Sequence, residues 1–313
     1  MAEKKRFNYG GQAVIEGVMI RGRSSAVTAV RRPNGEVITD VKPLPSIYTS
    51  WARRTPLIRG VVVLIEAMVL GINSLLKSAN ISMEEEVEEI PQKAIWAMMA
   101  ISAVLVVALF FVAPLFLTNV LKARMHNTVL FTVVEGVIRL AIFIGYLKII
   151  GMMSDIKRVF TYHGAEHKTV NAYEAGVPME VDAIKDYSRA HVRCGTSFLF
   201  FVLVIAIIVF TFAGWWFTSV GWNAFWVLAL SRIVLIPVIM SLGYEVIYFG
   251  ARHTNNWFVK IILAPGLWLQ SMTTGEPDDK QLEVAIAAIN KAVEIDQAEE
   301  AALAVQANPV SAA

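Results

Sequence analysis

Residues 94–117 run without one charged side chain, and residues 198–220 do the same before closing on Trp215, Trp216 and Phe217. A helix needs about 20 mostly apolar residues to cross a hydrocarbon core of about 30 Å. In water, a helix of that length with no polar face would have nothing to turn to the solvent. These two segments set the class: a mainly α integral membrane protein. Composition agrees, with 56% hydrophobic and 17% charged residues, where soluble domains carry about 25% charged residues. A formal net charge of +2 is too balanced for a nucleic-acid partner. The single cysteine, Cys194, rules out an intrachain disulfide. The start MAEKKRFNYGGQ is basic but lacks an apolar core behind it, so no cleavable signal peptide is expected.

Two further segments read as spans although each carries charge. Residues 128–153 include Glu135, Arg139 and Lys148, and residues 222–249 include Arg232 and Glu245. Two others are expected at the interface or re-entrant: 57–82, with Arg59, Glu66 and Lys77, and 257–273, short and broken by Pro265. Lys and Arg number 13 in residues 1–93, two in the 118–127 loop (Lys122 and Arg124), six in 154–194, none at the 221 turn and four beyond 249. Basic residues favour the cytosolic side. The alternation therefore predicts four transmembrane helices with both termini cytosolic.

The chain then divides into a cytosolic N-terminal β unit (1–56), an interfacial or re-entrant helix with an acidic linker (57–93), and a first transmembrane pair (94–153). A helical cytosolic loop (154–194), a second pair (195–249), an interfacial segment (250–276) and a cytosolic C-terminal helix with a loose tail (277–313) follow. In the β unit, AVIEGVMI and SSAVTAV are rich in β-branched residues, and a Pro33-Asn34-Gly35 turn joins the latter to EVITDV as a hairpin. Two or three strands bury no core alone, so the unit is expected to pack on something else. The run EEEVEE (84–89) reads as a solvated stretch, and Pro277 with Asp278 opens the last helix.

The chemistry concentrates in the 154–194 loop. His163-Gly-Ala-Glu166-His167 is an H-x-x-E-H pattern. On a helix, residues four apart share a face, so His163 and His167 can bind one divalent metal such as Zn²⁺, with Glu166 beside them as a base. On the same helical wheel Glu174 falls about 20° from His163, which makes it a candidate third ligand or a partner of one, with Asn171 nearby. Gly176 suits the helix C-cap. His191 and Cys194 form a His-x-x-Cys pair that can complete the site. Cys194 stands at a helix N-terminus, where the dipole favours thiolate and Thr196 or Ser197 can cap. The competing reading of the cluster is a polar network that fastens the loop to the membrane domain.

Charges inside a membrane pair up or mark function. Counted at 1.5 Å per residue, Glu135, Arg139 and Arg232 lie roughly 10–16 Å from the outer end, and Lys148 and Glu245 about 6–8 Å from the inner end. This predicts a Glu135/Arg139/Arg232 cluster and a Lys148/Glu245 pair. They read either as charge-paired packing or as a polar crevice that leads to the cytosolic site, with Glu245 near the metal.

Six segments carry a resemblance: GGQAVIEGVMIRG (10–22), PLIRG (56–60), YHGAEHKTVNAYEAG (162–176), HVRCGTSF (191–198), PGLWLQ (265–270) and GEPDDKQLEVAI (275–286). With these, the chain resembles the YqhQ family of bacterial multi-pass membrane proteins over roughly residues 8–290. The resemblance implies a bacterial source and the plasma membrane. It also implies the family's description, a domain of unknown function and predicted metal-dependent enzyme.

Three functions compete. The first is a metal-dependent hydrolase at the cytosolic membrane face, acting on a peptide or a lipid head group. The second is a non-enzymatic membrane factor that binds other membrane proteins or nascent chains. Twelve methionines would suit adaptable contacts, and suit core or lipid packing equally. The third is a small transporter, for which four spans are few and no inverted repeat is visible.

Overall fold

The computed structural model describes residues 7–83, 91–121, 127–222 and 225–307. The acidic run 84–89, Lys122 and Arg124 and the tail from 308 lie outside them.

The N-terminal unit is an antiparallel sheet of four strands in the order β1-β2-β3-β4: β1 Gly10–Val14, β2 Gly17–Arg21, β3 Ser25–Arg31 and β4 Val37–Pro43. One strand more than expected arises because AVIEGVMI is not a single run. Ile15 and Glu16 form a two-residue turn between paired Val14 and Gly17, with Glu16 at φ +51. The Pro33-Asn34-Gly35 turn joins β3 to β4 as expected, and Gly35 takes φ +90 there.

A bare sheet of this size would leave one face wet. Here helices cover both. On one side α5 (Ser154–Ala175) and α10 (Asp279–Ala307) bury Val18, Ile20, Val27 and Ala29 under Tyr162, Ala165, Leu282 and Ile289. On the other, α1 (Ile58–Ser82) packs Leu70 on Val14, Met19 and Ala26. Thr28 Oγ1 donates to Ser74 Oγ at 3.0 Å across that contact, and Gln12 Nε2 donates to the Ala67 carbonyl at 3.0 Å. Burial on both faces is why consecutive Val18, Met19 and Ile20 all point into a core. At the start of α10, Asp278 Oδ1 accepts from Gln281 N at 2.8 Å and Gln281 Oε1 accepts from Asp278 N at 3.1 Å. This reciprocal capping box starts the helix where Pro277-Asp278 predicts.

Among the described residues, five helices are long and apolar enough to cross a membrane: Ile58–Ser82, Lys93–Thr118, Val129–Ile150, Gly195–Ser219 and Leu230–Arg252. The last four are the expected spans, and α1 is a fifth by length and composition. In the first of the four, α2 (Gln92–Val107) passes through a π turn (Ala108–Val112) into α3 (Ala113–Leu121). The others lie in α4 (Thr128–Ile150), α7 (Gly195–Ser219) and α8 (Phe225–Arg252). A short α6 (Val181–Ile184) lies in the loop after α5. The following α9 (Trp257–Ser271) lies against α7, with Gly266 so close that a Cβ would sit 3.2 Å from Ser197 Cβ.

The predicted outer cluster forms. Glu135 accepts from Arg139 Nη2 at 2.6 Å and from both Nη atoms of Arg232 at 2.9 and 3.0 Å. The predicted Lys148/Glu245 pair does not form. Glu245 instead holds Arg59, whose Nε donates at 2.8 Å, and accepts the Leu57 N–H at 3.1 Å, while Lys148 is exposed. The reason is a helix contact that span-by-span counting does not see. Gly60 lets α1 come so near α8 that a Cβ would lie 2.8 Å from Ser241 Cα. Arg59 therefore reaches Glu245 first, and the carboxylate belongs to the α1–α8 contact.

Candidate metal centre

Helix α5 ends at Gly176, which takes the left-handed conformation expected of a C-cap, φ +77. One turn apart on this helix, His163 and His167 face each other with ring centroids 4.3 Å apart. His163 Nδ1 lies 2.9 Å from the Thr273 carbonyl, and His167 Nδ1 hydrogen-bonds the Arg189 carbonyl. A carbonyl only accepts, so each Nδ1 donates there, and Nε2 is the nitrogen left to serve as a ligand. Backbone carbonyls that fix the far nitrogen are the usual support of metal-binding imidazoles.

Cys194 brings its Sγ to 3.2 Å from His163 Nε2. His163, His167 and Cys194 offer ligand atoms that all lie within 4.8 Å of one another. Zn–N near 2.0 Å and Zn–S near 2.3 Å put tetrahedral ligand atoms about 3.3–3.6 Å apart, so small movements seat an ion. A thiolate with two imidazoles suits zinc-like ions and not Mg²⁺ or Ca²⁺. Cys194 is itself the N-cap of α7, accepting from Thr196 N at 3.4 Å. Its sulfur thus sits immediately before the first residue of a candidate span.

Glu166 is 3% exposed and divided in its duties. Oε1 accepts the Gly11 N–H of β1 at 3.0 Å. Oε2 faces the histidines, 4.0 Å from His163 Nε2 and 3.8 Å from His167 Nε2. Those distances exceed tetrahedral ligand spacing, so the carboxylate stands beside the trio rather than within it.

His191 and Glu174 lie beside this group and outside it. Glu174 pairs with Arg193 and lies 3.9 Å from His191 Nε2. Burial alone would push its carboxyl up, but the His191 hydrogen bond and the Arg193 charge outweigh that and hold it below the usual carboxylate range. The His191 ring lies 5.6 Å from that of His167. Its backbone is clamped by Gln270, which accepts from His191 N at 2.9 Å and donates to the His191 carbonyl at 2.6 Å and to Ser197 Oγ at 2.8 Å. Asn171 donates to the Ser188 and Ala190 carbonyls at 2.8 and 3.1 Å, which orders the turn that offers Arg189 O to His167.

Several supporting residues were not singled out from sequence: Gly11, Gly164, Gln270, Thr273 and Gly275. Four of them lie in the quoted segments GGQAVIEGVMIRG, YHGAEHKTVNAYEAG, PGLWLQ and GEPDDKQLEVAI, which was the available signal. Gly164 is decisive for His163. A Cβ there would fall 2.0 Å from the Gly275 carbonyl, so only glycine lets the 273–275 segment bring Thr273 O to His163. Gly164→Ala is expected to weaken zinc binding about 10–100-fold, the usual cost of losing such a support, in a competition titration with a chromophoric chelator.

A family model described as "Protein of unknown function (DUF1385)" matches residues 55–295. The chain is 33% identical over 304 residues to "Uncharacterized protein YqhQ" of Bacillus subtilis (strain 168), over 92% of this chain and 93% of that protein. No solved structure matches it.

Proposed function

The chain belongs to the DUF1385 family, and from the geometry of its site we propose that it is a metal-dependent hydrolase anchored in the bacterial plasma membrane. One observation carries the reading: two imidazoles with their Nδ1 protons tied to carbonyls converge through Nε2 on Cys194 Sγ, and Glu166 Oε2 stands just outside that trio. Three protein ligands with an adjoining carboxylate are the usual make-up of a catalytic zinc site. A bound zinc-like ion would supply Lewis acidity toward a carbonyl or phosphoryl oxygen and acidify water.

The chain's own groups do the rest. Gly11 N–H holds Glu166 in place through Oε1. Oε2 takes the proton of the attacking water and returns it to the leaving group as the scissile bond breaks, so the water's oxygen stays on the acyl or phosphoryl centre. The Thr273 and Arg189 carbonyls orient His163 and His167 through Nδ1, so that Nε2 of each is the nitrogen turned to the ion.

The second reading, a non-enzymatic membrane factor, draws on burial. His167 is 1%, Glu166 3% and Cys194 7% exposed, as in a closed site where Glu166 swings in as fourth ligand. Glu166→Gln separates the two. A hydrolase keeps its metal and loses roughly 100-fold or more of its turnover, measured by complementation of a deletion strain together with elemental analysis. Full function in the Glu166→Gln strain would sink the hydrolase.

In this proposal four helices span the membrane, α1 and α9 lie at its cytosolic surface, and both termini are cytosolic. The basic residues of the 1–93 and 154–194 segments support that orientation. On α1, Glu66, Ser74 and Ser78 are buried, with Ser74 and Ser78 hydrogen-bonded to the sheet. Ile65, Met68, Val69, Ile72 and Leu75 are exposed along another face. A helix with one face on protein and an apolar stripe outside suits an in-plane position. Exposed Trp257, Ile261 and Trp268 give α9 the same character. The partners are then the lipid bilayer and a peptide or membrane-protein substrate, with no part for nucleic acid.

A further inference from the structure

We infer that Arg189 is the positioning residue of the His163–His167–Cys194 trio: its main chain aims His167, its side chain aims His163, and the segment 185–190 that carries it is a strap laid across α5. This deepens the metal reading and rests on it for what is aimed, a pair of ligands, though not for the hydrogen bonds that do the aiming.

The main-chain half is built on α5. Four carbonyls of the strap accept from side chains of that helix: Lys185 O from Lys168 Nζ, Ser188 O and Ala190 O from Asn171 Nδ2 at 2.8 and 3.1 Å, and Arg189 O from His167 Nδ1. His167 and Asn171 are four residues apart and share one face of the helix. Asn171 holds the carbonyls on either side of Arg189, so the Arg189 carbonyl is fixed from both neighbours and turns to His167.

The side-chain half reaches the other support. Arg189 Nη1 donates to the Thr274 carbonyl at 2.9 Å, and Arg189 Nε lies 3.1 Å from Glu276 Oε2. The Thr274 carbonyl and the Gly275 N–H belong to one planar peptide. Gly275 N donates to the Phe160 carbonyl at 2.7 Å, so that peptide is pinned at both edges. The carbonyl one residue back, Thr273 O, is the acceptor for His163 Nδ1 at 2.9 Å. The Arg189 stem runs beside Gly164, where an added Cβ would lie 3.4 Å from Arg189 Cδ. Glu276 holds the arrangement from outside, pairing with Lys168 as well as Arg189. Its side chain is 63% exposed, and exposed ion pairs contribute little, so the bond to Thr274 O is the one that positions His163. A guanidinium suits this place because its planar fork serves two acceptors at once.

The test uses full-length protein in nanodiscs, isotope-labelled at the histidine nitrogens, with the two Nδ1–H signals assigned by NMR of His163→Ala and His167→Ala. Arg189→Ala leaves the carbonyl in place and removes the bond to Thr274. It is expected to speed solvent exchange of the His163 Nδ1–H about tenfold, the weight of one hydrogen bond, and to leave the His167 signal within about twofold. Asn171→Ala is expected to do the reverse, speeding His167 and sparing His163. A general loss of stability would speed both signals in both variants, so the crossed pattern reads positioning alone. In a competition titration, Arg189→Ala is also expected to weaken zinc binding about tenfold, as for the loss of such a support. If Arg189→Ala does not fold, Arg189→Lys, which keeps the stem and loses the fork, must give the same selective change at His163. Equal change at both histidines in each variant, or no change in either, overturns the positioning role and leaves the metal reading standing if wild-type protein holds zinc. The crossed pattern in protein that holds no zinc overturns the metal reading instead, and keeps Arg189 as the residue that aims both rings.

Discussion

Replacing His163 and His167 together by alanine is expected to take the purified protein from about one divalent ion per chain to none, read by elemental analysis without chelators. The effect is all-or-none because the trio is built from two supports. Each histidine is aimed by a carbonyl from a different segment, Thr273 after α9 and Arg189 before α7, and Cys194 is set by the cap of α7. With both imidazoles gone, only the thiol remains of the ligand atoms that lie within 4.8 Å of one another, and one protein ligand does not retain zinc. Cys194→Ser keeps two imidazoles and is expected to lower affinity without abolishing it. Metal binding is folding free energy for whatever the site ties together. The double variant should therefore also loosen the contact of α5 with the start of α7 and the end of α9, as faster trypsin cleavage in 185–193. Wild-type protein without stoichiometric metal would make the cluster a fastening network and end the hydrolase reading.

What could be seen in the sequence, and what could not, divides along a physical line. Signals that live within one helix were legible. Uncharged runs located the apolar helices, the H-x-x-E-H spacing put His163 and His167 on one face of α5, and Gly176 marked its end. Depth counting brought Glu135, Arg139 and Arg232 together because helices of similar length start from the same slab surface. Signals that depend on how two elements approach were hidden. Depth counting pairs Glu245 with Lys148 because both lie near the inner end, whereas Gly60 draws α1 in and supplies Arg59. The extra strand was hidden by a turn without the usual residues, Ile15-Glu16. The second half of the metal centre was hidden as well. Carbonyls carry no sequence signature, and the reason Thr273 O reaches His163 is the neighbouring glycine, Gly164, which packs on a loop more than a hundred residues away in the chain. Glu174 shows the reverse error available to wheel arithmetic. It shares the face of His163 by angle, but three turns along the helix it meets Arg193 first.

The buried charge cluster gives the largest expected change in stability. Glu135 is 1% exposed and accepts from Arg139 and from both Nη atoms of Arg232. Arg139 keeps a further acceptor, the Phe110 carbonyl in the π turn, at 2.9 Å. Glu135→Gln leaves two guanidinium groups in an apolar slab with no counter-charge, and is expected to cost about 3–5 kcal/mol, as for breaking other buried pairs. Unfolding in mixed detergent, followed by tryptophan fluorescence, measures it. The neutral triple variant Glu135→Leu, Arg139→Leu and Arg232→Leu should recover most of that loss, because no ion is left to desolvate. Function in the triple variant then decides what the cluster is for. If the stable triple variant complements a deletion strain, the charges serve helix packing alone. If it is stable and inactive, the charges line a polar path through the bundle, and the transporter reading gains the ground that the hydrolase loses.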